Sequence, residues 1–143
     1  MLEINLKGTF ICSQVVLPDM EAAKWGRIVN ISSSSAQTGA INMAHYSASK
    51  GAMITLTRSL AQELGPLGVT VNNIPPGSVM QTLMSEANKE RFQIPVETLL
   101  QTIPVRRTGV PGDIANACAW LCREETGYVT GQTSGVNGGR VVS

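Results

Sequence analysis

The chain has 143 residues, of which 43% are apolar and 15% charged, and its net charge at neutral pH is +1. This length fits one domain with a sizeable core, so residues 1–143 read as a single unit, and so low a charged fraction implies much buried surface, in a large fold or against partners. The balanced charge gives no footing for nucleic acid or an anionic membrane, no apolar run reaches the roughly 18 residues of a membrane span, and Glu3, Lys7, Pro18 and Asp19 interrupt anything resembling a signal peptide.

The first predicted element is a helix over residues 2–23, where Ile4, Phe10, Ile11, Val15, Val16 and Met20 recur at helical spacing. Gly26 breaks it. Arg27-Ile28-Val29-Asn30-Ile31 follows, a β-branched run between a glycine and four serines that suits a buried parallel strand. Residues 32–44, rich in Ser, Gly, Gln and Asn, read as a loop. A second helix runs from about His45 to Leu64, with Ala48, Ala52, Leu56 and Leu60 on one side, and Gly65-Pro66 stops it. Val69–Ile74 is the next strand, ended by Pro75-Pro76-Gly77. Residues 78–104 are polar and mixed, with one or two short helices, and form the segment expected to decide substrate. Pro111-Gly112-Asp113 opens a helix to about Arg123, and a short strand is expected near Thr133–Val136.

Helices alternating with apolar strands predict an α/β fold, a doubly wound parallel sheet covered on both faces and joined by right-handed crossovers. Three strands make a small parallel sheet, and the first helix starts at residue 2 with no strand before it. The expectation is therefore the C-terminal part of a larger sheet whose N-terminal strands are missing or come from another chain.

Three cysteines, Cys12, Cys118 and Cys122, an odd count with wide spacing, argue against a disulfide framework. Cys118 and Cys122 read as small apolar residues and not as a metal pair, since the sole histidine, His45, is far off in sequence. No metal site is expected, and a reducing cytoplasm suits the chain.

The chemistry is concentrated in Tyr46-Ser47-Ala48-Ser49-Lys50. Tyrosine and lysine four apart share a helix face. An ammonium stabilises a neighbouring phenolate, and that makes a tyrosine usable for proton transfer to or from a substrate oxygen. Ser33 lies just past the first strand, thirteen residues before Tyr46. Open α/β sheets bind ligands beyond the carboxyl ends of their strands, where a serine hydroxyl can donate to a carbonyl oxygen.

With these stand Asn5 in Leu2-Glu3-Ile4-Asn5-Leu6, Gly26-Arg27-Ile28-Val29-Asn30-Ile31-Ser32-Ser33, Pro76-Gly77 and Asn137-Gly138-Gly139, all in one order nearly end to end. The set resembles the successive signatures of the short-chain dehydrogenase/reductase family, in particular its 3-oxoacyl-carrier-protein reductases. The resemblance implies a Rossmann-like, three-layer α/β/α fold and hydride transfer between NAD or NADP and a secondary alcohol, a ketone or an acyl thioester. It implies that Tyr46 exchanges the proton, that Lys50 favours the phenolate and holds the nicotinamide ribose, and that Ser33 polarises the substrate oxygen. Asn5 would order a proton-relay water near Lys50. Asn30, Pro76, Gly77 and Val79 would lie against the cofactor, with the Val79 backbone near its carboxamide. It further implies a homo-oligomer, a tetramer or dimer, built on the two long helices.

The sequence also departs from the family pattern. No Gly-x-x-x-Gly-x-Gly phosphate loop is present, and no helix follows Gly135-Val136-Asn137-Gly138-Gly139 to replace it. Pro75 stands where the family has alanine, and Gln81 where it has threonine, with Thr82 one residue on. The alternative for the isolated chain is thus an inactive fragment serving as an oligomerising or interaction module. His45 reads as helix-start solvation and Trp25 and Trp120 as packing. Met43, Met80 and Met84 read equally as pocket lining or gap filling, and Arg106 and Arg107 as a solvated pair.

Overall fold

A computed structural model of the chain describes residues 1–87 and 95–142. A π-helical turn, Glu3–Lys7, runs straight into helix α1, Gly8–Ala23. Strand β1 is Gly26–Ile31, and a single helical turn α2, Ser35–Thr38, interrupts the loop that follows. Helix α3, Ala44–Leu64, ends in a 3-10 turn at Gly65–Leu67, and β2 is Val69–Ile74. Short helices α4, Leu83–Ala87, and α5, Val96–Gln101, occupy the segment expected to hold one or two, whose residues 88–94 lie outside those described. Helix α6, Pro111–Leu121, leads to a 3-10 turn at Glu124–Thr126.

The strands pair in parallel, Gly26 opposite Val69 through Ile31 opposite Ile74. Leu60, Ala61 and Leu64 of α3 pack with Val69 and Val71, and Leu17 and Met20 of α1 join the same cluster. Both long helices therefore cover one face, and α6, with its fully buried Leu121, meets the strands too. Every residue of β2 is buried, as expected of a strand covered on both faces. This is the α/β arrangement read from the alternation of elements.

The start of the chain departs from that reading. The predicted helix over 2–23 is not uniform, because its first turn is π. That widens the turn at Asn5, a distortion frequent at functional sites. The end of the chain departs as well. The expected strand at Thr133–Val136 is reduced to two isolated bridges, Asn73 to Thr133 and Pro76 to Val136. The backbone bonds give the reason. Asn73 N donates to Gln132 O, Ser134 N to Asn73 O, and Gly77 N to Val136 O. The next donor in such a ladder would be the N–H of residue 75, and Pro75 has none. Pro75→Ala is expected to restore that bond, read as a slowly exchanging amide at residue 75 in hydrogen–deuterium exchange. Stability should change little, since the gained hydrogen bond and the freer unfolded chain nearly offset each other, at about 1 kcal/mol each.

Helix α6 begins at Pro111, with Asp113 Oδ2 accepting from Val110 N at 2.9 Å. Arg107 closes on the same carboxylate with two bonds, 2.7 and 2.9 Å. Arg107 foremost, then the Val110 N–H, holds the Asp113 carboxyl well below the usual carboxylate range. A depressed carboxyl stabilises the fold above its unfolded value, roughly pH 4, and that contribution is lost as pH falls below it. Asp113→Asn should therefore melt below the parent at neutral pH. The two curves should converge in acid, and melting temperatures followed by circular dichroism across pH would show it.

Candidate active site

The site lies where β1 and β2 end. Beyond Ile31 the chain still follows its neighbour, because Ser32 N donates to Ile74 O and Ser34 N to Pro76 O, both at 2.9 Å. This pairing sets Ser33 at the carboxyl edge of the sheet, beside the Pro75-Pro76-Gly77 turn. The Ser33 hydroxyl is half-buried and meets Ser35, whose N and Oγ approach it at 3.2 and 2.9 Å. The unforeseen turn α2 is thus what steadies Ser33.

Lys50 is carried by α3, one turn after Tyr46, and its Nζ donates to Ile31 O at 3.0 Å. Burial pushes the Lys50 ammonium below the ordinary lysine value. One of its three donor positions is spent on the strand tip, which fixes the side chain over the end of β1 and leaves the others to point elsewhere. Tyr46 is half-buried in the first turn of α3, so its helix position and that of Lys50 are set by one rigid element.

Asn5 belongs to the same assembly. Its Nδ2 donates to Ser49 Oγ at 3.0 Å, and Ser49 Oγ donates to Tyr46 O at 2.8 Å. Ser49 is fully buried. The π turn at Asn5 is thereby tied to the turn of α3 that bears the tyrosine, across 44 residues of sequence. Asn30 is placed differently from Ser33 and Lys50. It lies one residue inside the tip of β1, and its Nδ2 donates to Thr57 Oγ1 of α3 at 2.9 Å beneath the helix. On the other side of Ser33, Gly77 packs so closely on Asn137 that a Cβ would sit 2.8 Å from its Cα. Val79 bridges to Gly109, and Arg140 donates to Ser78 Oγ at 2.9 Å. The Pro76–Val79 ridge is thus braced by the C-terminal segment at Pro76, Gly77 and Ser78 and by Gly109 at Val79.

A cavity of about 630 Å³ runs between α1 and β1 and draws Asn5, Asn30, Ile31 and Lys50 into one lining. Tyr46 and Ser33 are not part of it. His45 is exposed at the start of α3, and Met84 and Trp120 are also exposed. Cys118 is half-buried and Cys122 exposed; burial foremost, then Cys122 beside it, pushes the Cys118 thiol up. No cluster of three metal-ligating side chains occurs among the described residues. No helix among them is long and apolar enough to cross a membrane. Ser49, Ser35 and Thr57, which hold Asn5, Ser33 and Asn30, were not singled out from sequence. The only signal for Ser49 was its position three residues after Tyr46, where a serine can bond back to the helix.

The model of a family described as enoyl-(acyl carrier protein) reductase matches residues 1–140. The 3-oxoacyl-[acyl-carrier-protein] reductase of Aquifex aeolicus is 40% identical over 142 residues, covering 97% of this chain and 54% of the relative. The acetoacetyl-CoA reductase of Cupriavidus necator is 37% identical over 139 residues, covering 97% and 55%. The (2S)-[(R)-hydroxy(phenyl)methyl]succinyl-CoA dehydrogenase subunit of Thauera aromatica is 41% identical over 139 residues, covering 97% and 54%. The chain spans about half the length of these relatives. A family match from the first residue to residue 140 makes the chain a member of the short-chain dehydrogenase/reductase family.

Proposed function

We infer that the full-length protein is an oxidoreductase that moves a hydride between NAD or NADP and a carbonyl or secondary alcohol, with a 3-oxoacyl thioester as the favoured substrate class. The observation that carries this reading is Lys50, held over the tip of β1 by Ile31 O and sharing a helix turn with Tyr46. The names of the relatives, two of them reductases of 3-oxoacyl or acetoacetyl thioesters, support the substrate class.

The donor set suits the nicotinamide-ribose end of such a cofactor. Lys50 retains N–H donors for ribose hydroxyls, and the Pro76–Val79 ridge offers backbone groups to a flat amide-bearing ring. The cofactor, when bound, supplies or accepts the hydride. Everything else falls to side chains. Tyr46 gives its phenolic proton to the substrate oxygen in reduction and takes it back in oxidation. Lys50, a cation carried one helical turn away, stabilises the phenolate left behind. Ser33 donates a hydrogen bond to the same oxygen and orients the carbonyl. Asn5, through Ser49, fixes the turn of α3 from which the tyrosine projects. The direct test is to mix the full-length protein with an acetoacetyl thioester and either reduced cofactor, and to follow loss of nicotinamide absorbance. Turnover with one of the two is expected; none with either, at enzyme concentrations comparable to substrate, refutes the reading.

A second reading concerns the isolated chain, as an oligomerising module. Helix α1 exposes Phe10, Ile11, Val15 and Val16, with Val15 71% exposed. Such an apolar face invites burial against a second copy. Sedimentation equilibrium of the 143-residue chain should give a dimer or tetramer at micromolar concentration. A monomer throughout that range contradicts it.

A further inference from the structure

One row of side chains inside the molecule leads from Asn30 to residues with no part in the chemistry above. Asn30 of β1 is in register with Asn73 of β2, and Asn73 is in turn the bridge partner of Thr133. Register partners on parallel strands project to the same face. That face is fixed by its neighbours: Val69 and Val71, at alternate positions before Asn73, pack on α3, and Asn30 reaches Thr57 of α3. An amide, a second amide and a hydroxyl thus stand side by side under the helix.

Half of the row is satisfied. Asn30 Nδ2 donates to Thr57 Oγ1, and Thr57 Oγ1 donates to Met53 O, both at 2.9 Å. The other half is not. Asn73 is 0% exposed, and neither its Nδ2 nor its Oδ1 has a hydrogen-bond partner among the described residues. Thr133 Oγ1 is buried and unpartnered as well. The Asn73 backbone is bonded on both sides, its N to Gln132 O and its O from Ser134 N, so its want lies in the side chain alone. Buried amides and hydroxyls in folded proteins are nearly always paired, with protein or with ordered water. Asn73 and Thr133 are bridge partners, so their side chains are neighbours, yet no hydrogen bond joins them, and a single oxygen accepting from or donating to both would satisfy the two at once.

We propose that the Asn73–Thr133 pair is a built site for one ordered water molecule. The water donates to Asn73 Oδ1 or accepts from its Nδ2, and it bonds Thr133 Oγ1 on the other side. It thereby joins β2 to the C-terminal segment where Pro75 has removed a ladder hydrogen bond. The site lies one residue inside Ile31 and Ile74, whose carbonyls take Lys50 Nζ and Ser32 N. Its effect is to stiffen the floor on which Lys50 and Ser33 stand.

A crystal structure of the chain at a resolution that shows ordered solvent tests this directly. Density for one water within hydrogen-bond distance of both Asn73 and Thr133 is expected; their side chains in dry contact, or in direct hydrogen bond, would overturn it. A thermodynamic cycle gives a second, independent reading. Asn73→Ala, Thr133→Val and the double variant should shift the melting temperature non-additively, the double variant losing several degrees less than the sum. Thr133→Ser, which keeps the hydroxyl, should preserve the coupling. Additive shifts, with Thr133→Ser behaving like Thr133→Val, speak against a bridging water.

Discussion

Replacing Tyr46 by phenylalanine in the full-length protein is expected to lower kcat/KM for ketone reduction by on the order of 10²–10⁴-fold, the usual worth of one well-placed proton donor. The substitution removes a single oxygen. The Tyr46 phenol has no hydrogen bond to protein among the described residues, and the link from Ser49 goes to the backbone carbonyl of residue 46, which phenylalanine keeps. The fold and the Asn5–Ser49 clasp should therefore survive, and melting temperature should move little. Loss of rate with an unchanged melting curve would locate the effect in the chemistry. Substrate KM should change less than kcat, because the proton is delivered only as the carbonyl oxygen gains charge. Stopped-flow measurement of nicotinamide oxidation in parent and variant would decide. A rate near the parent's would remove Tyr46 from the mechanism.

The largest effect on stability is expected at Leu121. This residue closes α6 and is 1% exposed. Thr126 Oγ1 caps the helix end beside it, lying 3.2 Å from Leu121 O and 2.8 Å from Arg123 O. Those bonds hold the backbone on both sides and limit how far the surroundings can close around a deleted side chain. Leu121→Ala should therefore cost about 2–5 kcal/mol, the range for buried leucines whose cavities do not collapse. Ile41, 92% exposed in the loop before α3, is the matching control. Ile41→Ala should stay within about 0.5 kcal/mol of the parent. Urea unfolding of the three proteins measures both, and equal midpoints for the two variants would contradict the account of the core.

The sequence made some parts of this structure easy to read and hid others. Strand β2 matched its expected span because four of the six residues Val69–Ile74 are β-branched and Gly68 and Pro75 bound them, and chain stops of that kind act locally. Helix α3 was legible for the same reason, with small and apolar residues at helical spacing up to Gly65-Pro66. The π turn at Glu3–Lys7 was not, since what accompanies it is a contact between Asn5 and a serine 44 residues away. Nor was the single turn Ser35–Thr38, in a stretch of serines with no apolar period. The C-terminal strand failed in a more instructive way. Thr133–Val136 has strand-like residues, but its ladder depends on a donor from β2's side, and Pro75 withholds it. The departure of Pro75 from the family's alanine is visible in the sequence, but its cost falls on a neighbouring strand some sixty residues away and is not.

At the site the balance is similar. Tyr46 and Lys50 could be read as a pair because helical spacing alone puts them on one face. Ser33 was placed by the general habit of α/β sheets to bind ligands at strand ends, and the structure sets it at that edge beside Pro76. Asn30 is expected close to the cofactor; its amide donates to Thr57 beneath α3, and the residue also lines the cavity that Lys50 reaches. Strand alternation decides which face a residue takes, but nothing in the sequence told which face of β1 would meet α3.

The central claim is that the Tyr46 phenol and the Ser33 hydroxyl converge on one oxygen beside Lys50 at the rim of the sheet. A crystal structure of the full-length protein with nicotinamide cofactor and a non-reacting 3-oxoacyl thioester analogue tests it most directly. The account predicts both hydroxyls within hydrogen-bond distance of the analogue's ketone oxygen, with Lys50 against the ribose. A ketone oxygen bound elsewhere, with Tyr46 and Ser33 on separate surfaces, would contradict it.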